Sequence, residues 1–152
     1  MAIKRFELYR GKPNVVAHPE KNSQSFLAGD LIKISSGQVA LWTGTDIGAA
    51  GVFGVACKNG VNDTNNSDTP VMVITPTQEW RAFPATSVAP TASFSVGVDY
   101  KVAQASAGAG YIGAAGAGCV IAKIKAKNQD GTTAGDPMII RFSNAGLQGL
   151  EG

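Results

Sequence analysis

Past residue 25 the chain never sustains a helical hydrophobic period. Short β-type runs follow one another instead, each closed by Gly, Pro, Asn, Asp or Ser. A surface helix repeats its apolar stripe every three to four residues, whereas a half-buried strand alternates every second residue. Runs 30–35 and 38–42 flank Ser36-Gly37, a dipeptide with the backbone freedom a tight hairpin needs. Runs 51–57 and 71–75 are apolar enough for central strands, and 79–83, 95–103, 119–127 and 137–142 follow. In 119–127, Val120, Ala122, Ile124 and Ala126 alternate with Lys123, Lys125 and Lys127, a core face against a water face. The pattern predicts an all-β sandwich or barrel.

Residues 1–25 read differently, as an extended N-terminal arm before a body at 26–144 and a Gly-rich C-terminal tail at 145–152. Pro13 and Pro19 sit among polar residues, and only 3–10 alternates, with Phe6 and Leu8 on one side and Arg5, Glu7 and Tyr9 on the other. Ordering the arm costs about 1–2 kcal/mol per residue, against about 1.5–3 kcal/mol returned by burying Phe6 or Leu8. The arm is therefore expected to be disordered alone and to dock as an added strand on a neighbour's sheet edge. Ile3, Phe6, Leu8 and Tyr9 are its candidate docking residues. Removing 2–25 is expected to spare the fold.

A length of 152 residues suits one domain with a real core. Charged residues make up 16% of the chain, against roughly 25% in average soluble proteins, and glycines number 19. A surface so poor in charge is weakly protected against association, which points to protein partners. The net charge of +2 divides into +3 on residues 1–25 and −1 on the rest, so the body is expected to offer no basic footprint for nucleic acid. Residues 1–11 lack the apolar core of a secretory signal, and the longest apolar run, 47–57, falls short of the roughly 20 residues of a membrane helix. A soluble protein made in the cytoplasm, with no membrane partner, is the expectation. Cys57 and Cys119 lie in apolar runs and read as buried free thiols.

Motifs for chemistry are weak. Gly108, Gly110 and Gly113 match the spacing of a dinucleotide-binding turn, but that turn works by delivering pyrophosphate to a helix N-terminus, and Gly116 and Gly118 break any helix here. The single histidine, His18, lies in the arm and reads as solvated, and no serine occupies a nucleophile elbow. Nearly all the aspartates stand next to Gly, Asn or Thr in turns. The segment 63–68 gathers oxygen ligands yet lacks the central glycine and closing glutamate of a calcium loop. No catalytic residues, cofactor or metal are expected. Trp42, Phe53, Trp80 and Phe83 could stack single-stranded nucleic acid on a small barrel, but without a cationic groove they read as core or interface. Trp42, Trp80 and Phe83 are the candidate interface residues of the body.

A resemblance adds to this reading. The run from Ala28 to Ile34, the Ser36-Gly37 turn with Val39, the run 51–56, the polar gap before Val71 to Val73, and segments 97–102 and 119–124 together resemble tailed-bacteriophage head decoration, or capsid cement, proteins. The resemblance covers roughly residues 26–142. It implies a small Gly/Ala-rich β-barrel or β-tulip-like domain, commonly trimeric, on the outer capsid surface of the virion. There such domains clamp neighbouring subunits of the major capsid protein against internal DNA pressure. A tail-tube or fibre-type virion subunit and a small-barrel single-strand binder are the alternatives.

Overall fold

The computed structural model describes residues 6–44, 51–61, 66–84, 94, 100–115, 121–127 and 137–142. These form eleven strands and no helix, so the chain is all-β as the punctuated pattern requires. β1 (Glu7–Arg10), β7 (Glu79–Ala82), β8 (Tyr100–Ala103), β9 (Tyr111–Ala115), β10 (Ile121–Lys127) and β11 (Met138–Phe142) make a six-stranded sheet in the order β1-β7-β11-β10-β8-β9. β2 (Val15–Pro19), β3 (Leu31–Ser35), β4 (Gln38–Leu41), β5 (Gly54–Ala56) and β6 (Asp68–Val73) make a five-stranded sheet in the order β2-β6-β5-β3-β4. Among the described residues neither ladder closes into a barrel. The single bridge Glu20↔Val39 joins the ends of β2 and β4, the two margins of the five-stranded sheet, and Pro84↔Ile112 joins the chain just past β7 to the margin strand β9.

The hairpin β3–β4 forms where the sequence places it, in register from Ile32↔Leu41 to Ser35↔Gln38. Its turn puts Ser36 at φ 52° and Gly37 at φ 76°, the paired left-handed geometry that matches strand twist. Alternation then sorts β3 between two cores. Leu31 joins Trp42, Val55, Trp80, Val102, Ile112, Ile140 and Phe142, while Ile32 and Ile34 join Phe26, Val39, Phe53, Val71 and Val73. The five-stranded sheet is thus buried on both faces along β3 and β5.

The largest departure from expectation is the arm. β1 pairs with β7 (Glu7↔Arg81, Leu8↔Trp80), and β2 pairs with β6 through five residues from Val15↔Met72 to Pro19↔Asp68. The first 25 residues therefore supply one strand to each sheet. The predicted phase of β1 holds, with Phe6 buried, Leu8 half-buried and Glu7 and Tyr9 exposed, but the edge it meets is the chain's own. The cost of ordering it is offset by strand pairing and the burial of Phe6 together. The glycine-rich stretch after β8 turns back into β9, paired antiparallel to β8 at Tyr100↔Ala115, Val102↔Ile112 and Ala103↔Tyr111. The connection between the runs 119–127 and 137–142 and the tail at 145–152 lie outside the described residues.

Candidate interaction surface

Phe6 enters the larger core beside Phe142, ring centroids 6.1 Å apart, and its backbone N–H donates to the Gly29 carbonyl at 3.0 Å. A Cβ on Gly110 would stand 2.6 Å from the Phe6 ring and 2.9 Å from Gln104 Oε1, so the glycine is there for space. Leu8 packs against the same cluster. Of the predicted docking residues, Ile3 lies outside the described residues, Phe6 and Leu8 serve the chain's own core, and Tyr9 is 57% exposed. Trp42 and Trp80 are likewise buried, at 2% and 0% exposure, because alternation turns both inward; as they stand they offer no surface to a partner. Phe83 is half-buried beneath the Arg81 guanidinium, 5.7 Å from its ring centroid.

Sequence reasoning missed the polar clips that lock the two sheets. Gln104 is fully buried and acts as an extra strand rung: its Oε1 accepts from Leu31 N–H at 3.0 Å, and its Nε2 donates to the carbonyls of Leu31 at 2.8 Å and Trp42 at 2.6 Å. Asp30, 1% exposed, accepts from the N–H groups of Leu27 and Gly108, tying the turn before β3 to the turn before β9. A lone polar residue inside an otherwise small or apolar run is the signal that could have found both, since buried polar atoms need partners.

His18 is not the solvated arm histidine expected. It is half-buried and meets Phe53 edge-on at 5.6 Å. β9 begins at Tyr111, inside the glycine motif, so a strand stands where a phosphate-binding helix would be needed. In the oxygen-rich 63–68 segment, of which 66–68 are described, Asn66 donates its amide to the Glu20 carbonyl and to Asn22 Oδ1. Among the described residues no three His, Cys, Asp or Glu side chains gather as a metal site, and no helix is long and apolar enough to cross a membrane.

Between β1 and the β5 and β6 strands runs an open groove of about 370 Å³, walled by Phe6, Leu8, Val55, Met72 and Trp80. Cys57 stands on its rim, exposed and free rather than buried; Cys119 lies outside the described residues. Partial burial still pushes the Cys57 thiol up, partly offset by a hydrogen bond with the Met72 backbone. The folded state holds this proton more tightly than the unfolded chain does. Its share of stability is therefore full below the unfolded thiol's range and lost as pH rises through the folded one. With Cys119 replaced by serine, Cys57 should alkylate more slowly at pH 8 when folded than when unfolded in urea, because the thiolate is the nucleophile. Equal rates would contradict this.

Charge is segregated between the sheets. The strands of the six-stranded sheet carry seven Lys/Arg (Arg10, Arg81, Lys101, Lys123, Lys125, Lys127, Arg141) against Glu7 and Glu79, whereas those of the five-stranded sheet carry Lys33 against Asp68. The body's net −1 conceals this, because strand order gathers onto one sheet cations that the sequence scatters. Family models, curated proteins and solved structures all yield no match to this chain.

Proposed function

We propose that the chain is a structural adhesion protein. It binds the outer surface of a tailed-phage head as a homotrimer and clamps neighbouring major capsid subunits against the pressure of packaged DNA. The observation that carries this reading is a small all-β two-sheet body with a single bridge across the margins of its five-stranded sheet, in keeping with the barrel- or tulip-like domains of the decoration family that residues 26–142 resemble. Its charge-poor composition and the exposed Tyr9 and Val15 on the first strands of the two sheets add apolar contact area suited to protein partners. Attachment runs through the outside of the body, because Phe6 and Leu8 hold the N-terminal segment down. Emptied phage heads mixed with the purified protein should pellet with it, and the unbound protein should have the mass of a trimer. Self-assembly into tubes, or salt-sensitive binding to a single-stranded oligonucleotide without head binding, would overturn the proposal.

A further inference from the structure

Along β2 the hydrogen-bonding direction alternates residue by residue, and the pairing with β6 fixes its sense. Val73 N–H donates to the Asn14 carbonyl at 2.8 Å, and Glu20 N–H donates to the Ser67 carbonyl at 2.9 Å. With Val15↔Met72, Val16↔Val71 and His18↔Thr69 in register between them, the even-numbered residues from 14 to 20 bond inward to β6. The odd-numbered ones turn their backbone groups the other way. On that outer side Lys21 N–H donates to the Val39 carbonyl at 2.9 Å, beside the Glu20↔Val39 bridge, and Leu41 N–H of β4 is taken by Gln24 Oε1. β4 therefore meets only the end of the row. Among the described residues nothing pairs with Val15 or Ala17 on this side, and both are exposed, Val15 at 52%. Pro13 and Pro19 stand in the same row, two residues before Val15 and two after Ala17, and carry no N–H. The open edge thus holds two donors and two acceptors between proline stops.

We propose that this stretch of β2, from Val15 to Ala17, receives a short extended segment of another protein by strand addition. The hydrogen-bonding pattern selects the occupant. Outward N–H and C=O groups recur here at the two-residue repeat of about 6.8 Å, which an extended polypeptide matches with acceptors and donors of its own. A phosphate backbone brings acceptors alone and has no donors for the two carbonyls. Pro13 and Pro19 set the length. A partner strand finds no donor at either proline, so pairing stops after two rungs and cannot propagate into open-ended sheet stacking. The exposed Val15 and Ala17 side chains add a small apolar shelf, suited to a segment with β-branched or small apolar residues. The inference rests on the adhesion reading and deepens it by naming one contact through which the body takes hold.

The test uses the full chain, isotope-labelled for NMR, and a capped pentapeptide of alternating threonine and valine. Titration should move the Val15 amide resonance saturably and leave the inward Val16 amide nearly still. Ala17→Pro removes one outward donor and keeps the inward ladder, as Pro13 and Pro19 already do, so its melting temperature should stay close to the parent's. Its affinity for the pentapeptide should fall about fivefold, as for one lost hydrogen bond. The same peptide with its amides N-methylated needs no variant protein and should bind the parent more weakly still. Equal affinity of parent and Ala17→Pro, or of plain and methylated peptide, overturns the inference. Self-association of the chain that Ala17→Pro abolishes also overturns it, by giving the edge to a second copy. Pelleting with phage heads separates the two proposals. Heads that retain parent and Ala17→Pro equally overturn this docking site alone. Peptide binding that weakens in Ala17→Pro, without any head binding, sinks the capsid assignment alone.

Discussion

Replacing Phe6 by alanine should destabilise the protein by about 3–5 kcal/mol, the range for removing a buried aromatic side chain from a packed core. The ring is 3% exposed, meets Phe142, and occupies the space that Gly110 leaves by lacking a Cβ. Urea unfolding of the variant should show the midpoint falling with an unchanged slope, since the surface exposed on unfolding barely differs. Tyr9→Ala, three residues on and facing water, should stay within about 0.5 kcal/mol of the parent. Removing residues 2–25 would take away Phe6, β1 and β2 together, and should therefore unfold the body rather than spare it.

Gln104→Leu should cost about 4 kcal/mol, although the new side chain is apolar and similar in length. The loss comes from Leu31 N–H and the Trp42 carbonyl, which lose the Gln104 amide and stay buried, at roughly 1–3 kcal/mol each. The Leu31 carbonyl fares better, because it also accepts from Trp42 N–H at 3.1 Å. For a chain of this size the effect corresponds to a melting temperature roughly 8–16 °C lower. Gln104→Glu should be at least as damaging, since a carboxylate cannot donate to two carbonyls and would face them as a buried charge. A melting temperature within about 2 °C of the parent for either variant would show that the amide is not the clip between β3, β4 and β8.

The legible part of the fold is local. Ser36-Gly37 prescribes its own turn geometry, and alternation assigns Ile32 and Ile34 to one side and Leu31 to the other without any knowledge of strand order. The same periodicity gave β1 its correct inward face. Periodicity states which side of a strand is apolar but not whose sheet the strand joins, which is why Phe6 and Leu8 read as a grip for a neighbour. β2 was hidden by Pro19 and by a half-exposed surface, and β9 by the small residues of its own run, Gly113, Ala114 and Ala115. Long-range dependencies left no local mark. Gly110 is small because of a ring more than a hundred positions earlier, and Gln104 is polar because of backbone groups in β3 and just past β4.

The candidate surface was less legible still, because it is a product of topology. Arg10, Glu79 and Arg141 come from three separated strands and meet only through the order β1-β7-β11. Whole-segment charge counting averages such a row away, giving +3 for the first 25 residues and −1 for the remainder.

All of this rests on the N-terminal segment belonging to its own body, which native-state hydrogen exchange on the free protein measures most directly. If β1 and β2 are built into the two sheets, the ladder amides within Glu7–Arg10 and Val15–Pro19 should exchange orders of magnitude more slowly than an unfolded peptide, approaching those of β3. Exchange at random-coil rates through residue 25, beside a protected β3–β4 hairpin, would contradict the account and restore a free arm.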